Sequence, residues 1–222
     1  QDRRRRHAHE IGEPLLRADL LELAERARQL GMRTVLSTNG TRIDAEKASE
    51  LAGAGFSYVG ISLDGIGALN DKMRGSRGAF EAALGGIRAA REAGIRTGIR
   101  FTMHARNRSD LGAIFELAEA ERVNRLCVYH LAYAGRGGRM RKHDLAPERT
   151  RAAVEEIFER TEDLGRRGVE LEVLTVDNPV DHVLLLERLR RADPVRAADV
   201  EKLLLWNGGN QSGVAIAAID PQ

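Results

Sequence analysis

Two apolar runs of the chain, 33–40 (RTVLSTNG) and 58–65 (YVGISLDG), stop abruptly at small polar residues followed by a glycine. A buried parallel strand reads as a nearly continuous apolar run, and its carboxyl end is where an α/β sheet presents side chains to a ligand. We therefore interpret these ends as a binding rim formed by Ser37, Thr38 and Asn39 in the first run and Ser62 and Asp64 in the second. The competing interpretation is a pair of simple turns, since Ser, Asn, Asp and Gly are common turn residues.

An arginine lies in the middle of a third apolar segment. Residues 95–103 (IRTGIRFTM) alternate, which predicts a strand with one buried face and puts Arg100 on the other. A guanidinium that is withdrawn from water needs an anionic partner to offset its desolvation. Arg100 is thus a candidate ligand for a carboxylate or a phosphate, and a structural ion pair is the alternative that the sequence leaves open.

Helical and strand patterns alternate along most of the chain, with Asp44 and Ser109 as predicted N-caps and a polar loop over 65–78. This alternation predicts an α/β fold with parallel strands, either doubly wound or an incomplete barrel. The predicted strands are 33–38, 58–63, 95–103, 124–131 and 169–176, with a further one at 214–220, and the predicted helices are 15–30, 44–54, 79–93, 109–122, 147–167, 180–191 and 194–205. No glycine-rich nucleotide fingerprint accompanies the first strand.

Composition excludes several classes of protein. The 222 residues carry a net charge of +2 and are 42% apolar, without a run long enough to span a membrane or a signal-peptide pattern, so we expect a cytoplasmic protein that binds neither nucleic acid nor membrane. The single cysteine, Cys127, excludes an intrachain disulfide and a cysteine-only metal site, and is interpreted as an inert buried thiol. His7 and His9 lie in a polar N-terminal stretch and are not assigned to a metal.

Several short motifs, taken in order, resemble the core of radical S-adenosylmethionine (SAM) enzymes over about residues 12–138. They are Gly12-Glu13-Pro14, the STNG and SLDG runs, the Arg100 strand and the strand that contains Tyr129 and His130. The segments STNGT, HLAYAGRG and NGGNQSGVAIAAID are similar, more narrowly, to the radical SAM proteins of haem d1 and alternative haem biosynthesis. The resemblance implies a partial (β/α)6 TIM-like barrel, incomplete at its N-terminal edge. Its domains would be a core over 11–145, an extension completing it over 146–205, and the start of a truncated SPASM/twitch-type auxiliary domain over 206–222.

The resemblance also implies which residues hold SAM. The amino group of its methionyl moiety would lie at Gly12, Glu13 and Pro14, and Arg100 would pair with its carboxylate. The ribose and the same carboxylate would be hydrogen-bonded by the strand ends with Ser37, Thr38, Asn39, Ser62 and Asp64. The adenine would rest against Tyr129, His130 and Leu131. One departure is Ile11, where the family has a glycine that permits close backbone approach.

A second departure concerns the [4Fe–4S] cluster that the family ligates with three cysteines of one loop. Cluster ligation requires thiolates, and Cys127 alone does not supply them. We expect the ligands upstream of residue 1, so that the chain is a fragment of a longer enzyme. The alternative is a degenerate relative without redox chemistry.

The activity that the resemblance implies is modification of a tetrapyrrole. A 5′-deoxyadenosyl radical would remove or oxidatively decarboxylate propionate side chains, with electrons from a donor such as a ferredoxin or flavodoxin. Substrate carboxylates could meet the basic residues after the fourth strand, unless these form a solvated loop: Arg136, Arg139, Arg141 and Lys142. The alternatives are a SPASM-type peptide-modifying enzyme and a non-catalytic SAM-binding α/β module.

Overall fold

The computed structural model describes residues 12–133 and 136–207. Five strands run through this part: β1 (Leu36–Thr38), β2 (Tyr58–Leu63), β3 (Arg96–Thr102), β4 (Arg125–Tyr129) and β5 (Glu172–Val176). The helices are α1 (Leu20–Gln29), α2 (Ala45–Gly53), α3 (Ala68–Arg74), α4 (Ala79–Glu92), α5 (Leu111–Ala120), α6 (Arg136–Met140), α7 (Pro147–Arg166), α8 (Val180–Ala192) and α9 (Pro194–Asn207). Short 3-10 turns occupy Pro14–Leu16, Arg108–Asp110 and Arg141–His143.

The five strands form one parallel sheet whose spatial order equals their order in the chain, β1 to β5. A doubly wound sheet reverses its strand order at a switch point, and this sheet does not. Successive crossovers of the same hand therefore keep adding strands on one side, as in a TIM-like barrel. The predicted α/β class is confirmed, and of its two architectures the partial barrel is the one observed.

The two faces of the sheet differ in chemistry. The outer face is aliphatic and packs against the helices, with Val59, Ile61 and Leu63 of β2 and Ile99 and Phe101 of β3 completely buried. The inner face carries small, polar and charged residues on registered positions of neighbouring strands: Ser37, Gly60 and Gly98 in one row, and Ser62, Arg100 and Cys127 in the next. The alternation predicted for 95–103 is confirmed. Its apolar residues are buried on the outer face, which packs against the helices, and Arg100 lies on the inner face.

Local capping explains several helix boundaries. The Asp44 carboxylate accepts the Lys47 N–H (2.8 Å) at the start of α2, as predicted. Pro147 opens α7 at its first position, where its missing N–H costs nothing. After α1, Gly31 adopts a positive φ of 76°, the left-handed conformation common just past a helix end.

Three predictions about the helices are wrong. The predicted helix 15–30 is broken after Pro14–Leu16, because the backbone is extended at Arg17, whose guanidinium bonds the Asp19 carboxylate (2.7 Å). The predicted loop 65–78 contains α3, which its polar composition hides. Ser109 is not an N-cap, since α5 is preceded by a 3-10 turn there and begins after Asp110.

Other predictions concern residues outside the described ranges. These are the upstream histidines, Ile11 and the strand at 214–220. The domain boundaries at 11–145, 146–205 and 206–222 stay predictions, and α9 runs through Trp206 into the last of these segments. Within the described ranges no helix has the length and apolarity needed to cross a bilayer.

Two adjacent glycines of α4 give a matched test of packing. A Cβ at Gly86 would lie 2.3 Å from the Gly40 carbonyl oxygen, which follows the polar end of β1, whereas a Cβ at Gly85 meets nothing within 4 Å. We expect Gly86→Ala to lower the free energy of unfolding by about 1–3 kcal/mol through overpacking. We expect Gly85→Ala to raise it by roughly 0.5–1 kcal/mol through helix propensity.

Urea unfolding followed by circular dichroism measures both variants. Equal stability of the two proteins would contradict the close approach of α4 to the turn after β1. The Gly85→Ala variant controls for the general effect of adding a methyl group to this helix.

Candidate active site

The carboxyl ends of β1, β2 and β3 surround a cavity of about 840 Å³. Seven of the twelve residues predicted to bind SAM line it: Gly12, Glu13, Ser37, Thr38, Asn39, Ser62 and Arg100. They come from the segment before α1, from two strand ends and from the inner face of β3. The shared cavity follows from parallel pairing, which brings the carboxyl ends of neighbouring strands to one edge of the sheet.

Glu13 ties the segment before α1 to the end of β1. Its side chain is almost entirely buried, and its carboxylate accepts the Thr38 hydroxyl, the Asn39 N–H (2.8 Å) and the Leu15 N–H (3.2 Å). A carboxylate offers about four acceptor positions, so three bonds leave capacity for one further donor. The carboxylate therefore both orders this corner of the cavity and remains able to accept from a ligand.

Asn39 supports both interpretations of the STNG run. Its side-chain oxygen accepts the Thr41 N–H (2.9 Å) and the Thr41 hydroxyl (2.8 Å), which makes the turn of an Asx motif. The same residue lines the cavity. The turn bonds use the amide oxygen, and the amide NH2 group is the part that a ligand would meet.

Arg100 reaches across a strand. Its guanidinium donates from Nη1 to the Ser37 hydroxyl on β1 and lies 4.9 Å from the centre of the Tyr129 ring. The side chain passes over Gly60 of β2, where a Cβ would come within 2.9 Å of Arg100 Cδ. Among the described residues no carboxylate lies within salt-bridge distance of Arg100, so the structural ion pair considered from the sequence is not observed there.

Asp64 lies beside the cavity without lining it. Its carboxylate is 2.9 Å from Nε of Arg74, and its N–H donates to the buried Asn70 side chain (2.9 Å). Its carbonyl accepts from the Asn107 amide (3.0 Å). Asp64 thus neutralises a cavity arginine and fixes the chain where β2 meets α3.

The residues predicted to meet adenine are absent from the cavity lining. Tyr129 lies beneath the Arg100 guanidinium, and His130 bonds through Nε2 to Asp181 of α8 (2.7 Å), which is 3% exposed. Leu131 is half-buried just beyond β4. Pro14, which opens the first 3-10 turn, is also absent from the lining.

A group of lining residues is absent from the set predicted from the sequence. Most belong to α3 and the turn that joins it to α4: Asn70, Arg74, Gly75, Ser76, Arg77 and Gly78. Thr41, Ala79 and Ala82 complete the wall. The available signal was the two arginines of RGSRG (74–78), each followed by a glycine, in the polar stretch after the SLDG strand end.

Two titratable groups on the inner face remain protonated at neutral pH. Burial raises the pKa of the Cys127 thiol, and burial raises the pKa of Tyr58 to about 12. A phenol with this pKa is not suited to act as a base at neutral pH. Within the described residues no cluster of three or more His, Cys, Asp or Glu side chains forms a metal site.

The sequence matches a known protein family and is similar to two curated proteins. Residues 8–118, half of the chain, match the family model of the Radical SAM superfamily. Fe-coproporphyrin III synthase from Methanosarcina barkeri (strain Fusaro / DSM 804) is 52% identical over 208 residues, which are 94% of this chain and 52% of that protein. Pre-heme d1 synthase from Dinoroseobacter shibae (strain DSM 16493 / NCIMB 14021 / DFL 12) is 45% identical over 213 residues, 95% of this chain and 53% of that protein. The chain thus spans about half the length of these curated relatives.

A solved structure shares the fold. Streptococcus suis SuiB bound to S-adenosylmethionine aligns with a TM-score of 0.64 at 17% identity, over 77% of this chain and 39% of SuiB. The partial barrel is therefore common to both proteins. Taken with the family match and the two curated relatives, this fold identifies the chain as a member of the radical SAM superfamily.

Proposed function

We propose that this chain is the SAM-binding part of an enzyme that removes or oxidatively decarboxylates carboxylate-bearing side chains of a tetrapyrrole. The observation that carries the SAM site is Arg100, a half-buried guanidinium with no carboxylate partner among the described residues, in one cavity with Glu13, Asn39 and Ser62. Such a guanidinium is complementary to the carboxylate of a bound amino acid moiety.

The cavity suits SAM in size and in polarity. Its volume of about 840 Å³ falls within the range of roughly 300–1,000 Å³ usual for small-molecule sites. Arg100 and Ser62 would hold the methionyl carboxylate, and the remaining acceptor position of Glu13 together with the backbone near Gly12 would receive the ammonium group. The polar ends at Ser37 and Asn39 would orient the ribose. The parts proposed for Asp64 and for Tyr129, His130 and Leu131 rest on the family resemblance alone.

The iron–sulfur cluster does not fit the residues of this chain. Enzymes of the superfamily use SAM with a [4Fe–4S] cluster, which together supply a radical that takes a hydrogen atom from the substrate. Ligation needs thiolates, and burial raises the pKa of Cys127, the one cysteine present. We propose that the ligands lie upstream of these residues, and that this chain contributes binding and orientation of SAM.

The tetrapyrrole substrate class is supported by the two relatives named above. Both of their names denote synthesis of a porphyrin-type compound, and both align over at least 94% of this chain. The peptide-modifying alternative receives weaker support, because the PqqA peptide cyclase of Granulibacter bethesdensis is 30% identical over 67% of this chain, and the likeness to SuiB at 17% identity concerns the fold alone. An electron donor such as a ferredoxin or flavodoxin, a cytoplasmic location and the absence of nucleic-acid and membrane partners stay proposals from the sequence.

The SAM site is tested by removing the charge of Arg100. We expect Arg100→Gln to weaken SAM binding by about tenfold or more in calorimetry, because a charge-assisted, bidentate contact is lost. Arg96→Gln is the matched control, since Arg96 is an exposed arginine on the same strand and face at the opposite end of β3. Equal SAM affinity of the Arg100 variant and the unaltered chain would contradict the site.

A second test moves Arg100 without changing it. We expect Gly60→Ala to weaken SAM binding several-fold, because the added Cβ takes the space of the Arg100 side chain and of the Tyr58 ring edge at 3.1 Å. Gly85→Ala serves as the control for a glycine-to-alanine change with no neighbour. If Gly60→Ala binds SAM in calorimetry with the affinity of the unaltered chain, SAM binding does not require the Arg100 side chain to pass over residue 60.

The substrate class is tested with the full-length protein. Incubated anaerobically with reductant, SAM and didecarboxysirohaem, it is expected to yield a tetrapyrrole whose mass has fallen by the lost side-chain atoms. Mass spectrometry detects this product, and omission of SAM is the control. Formation of 5′-deoxyadenosine without any change in the tetrapyrrole mass would refute the substrate class and favour the peptide alternative.

A further inference from the structure

The cavity contains more cationic side chains than SAM requires. Three arginines line it, Arg74, Arg77 and Arg100. SAM brings one carboxylate, which the proposed function assigns to Arg100. The other two guanidinium groups need separate explanations, and their surroundings differ.

Arg74 already has a partner within the protein. Its Nε lies 2.9 Å from a carboxylate oxygen of Asp64, and both side chains are about three-quarters buried. The pair leaves this part of the wall close to neutral. Arg74 is therefore explained as a structural element of the junction between β2 and α3.

Arg77 is different, because it is exposed and lines the cavity while no carboxylate lies within salt-bridge distance of it among the described residues. Asp71, in the preceding helix α3, is an acid whose pKa Arg77 helps to lower. Its carboxylate, however, already accepts the Gly78 N–H (2.6 Å) and the Phe80 N–H (2.8 Å), and these bonds, with a smaller contribution from Arg77, lower the pKa of Asp71. The Asp71 carboxylate is thus occupied by hydrogen bonds from backbone N–H groups.

The backbone around Arg77 is held in place before any ligand binds. Besides its two carboxylate bonds, Asp71 accepts the Ser76 N–H through its carbonyl (3.1 Å). Gly75 and Gly78 flank the turn with φ of 67° and 79°, conformations that favour glycine. A fixed backbone reduces the ordering cost when the arginine side chain binds a ligand.

We propose that Arg77 binds a carboxylate of the substrate at the solvent side of the cavity that holds SAM. This inference rests on the proposed function and names the side chain that recognises the acidic groups of the tetrapyrrole. A planar guanidinium matches a carboxylate with two parallel hydrogen bonds, and its exposure leaves it accessible to a bulky ligand.

The basic residues after β4 are placed less well for this task. Arg139, Arg141 and Lys142 are exposed, and the cavity lining includes none of them. Arg141 stacks on the Tyr133 ring at 5.1 Å. Arg77 is thus the cationic side chain that shares a cavity with the SAM residues and is not engaged by another group of the described chain.

The test separates substrate binding from SAM binding. Iron coproporphyrin III is titrated into the chain in the presence of SAM and followed by its Soret absorbance, and SAM affinity is measured by calorimetry. We expect Arg77→Gln to weaken porphyrin binding by about tenfold, since a charge-assisted contact is lost, and to leave SAM affinity unchanged. Arg77→Lys should recover part of the porphyrin affinity, because it keeps the charge without the planar fork.

Arg149→Gln is the matched control, because Arg149 is an exposed arginine of α7 outside the cavity lining. The tetramethyl ester of the same porphyrin, which lacks carboxylates, should bind the unaltered chain and the Arg77→Gln variant with equal affinity. Circular dichroism melting verifies that each variant is folded.

The outcomes distinguish the two proposals. Equal affinity of the unaltered chain and Arg77→Gln for iron coproporphyrin III would overturn the role of Arg77 and leave the proposed function standing. An equal loss of SAM affinity in Arg77→Gln would overturn the assignment of the SAM carboxylate to Arg100 and of a substrate carboxylate to Arg77. No porphyrin binding by the unaltered chain would refute the tetrapyrrole assignment itself.

Discussion

A half-buried guanidinium on the inner face of the sheet is the constraint on which the rest of the site depends. Partial burial of the Arg100 charge is unfavourable unless polar groups offset it. The protein supplies the Tyr129 ring on the adjacent strand β4 and the Ser37 hydroxyl on β1, and the contact with Ser37 requires the side chain to cross β2. That crossing is possible because residue 60 is a glycine. Three strands are therefore tied to one another through a single side chain, and its remaining donors face the cavity.

A buried carboxylate plays the complementary part at the other wall. Glu13 satisfies its acceptors with the Thr38 hydroxyl and the backbone after it, so that the first described segment is fastened to the end of β1. An unpaired buried carboxylate would be unfavourable, and these bonds remove that cost. Among the described residues no salt bridge joins Glu13 to Arg100, although both line the same cavity.

The connection between α3 and α4 adds a second, more exposed source of positive charge. Its conformation depends on Asp71, which bonds the backbone on both sides of Arg77. The neighbouring Arg74 is neutralised by Asp64 and is less exposed than Arg77. Charge in the cavity is therefore set by a few specific pairings rather than by composition, since the chain as a whole is nearly neutral at +2.

The sequence by itself determined the alternating order of elements, the strand ends that carry polar residues and the inward-facing position of Arg100, because these features follow from short-range periodicity and turn chemistry. Tertiary structure decided what periodicity does not encode. Helix α3 is short and lies within a polar stretch, and a hydrogen bond from the Asp64 N–H to the Asn70 side chain joins it to the end of β2. His130 follows a strand whose end appeared suited to a ligand, yet its ring turns outward to Asp181, fifty-one residues later. Contacts between residues so far apart in the chain arise only when the folded sheet brings the elements together.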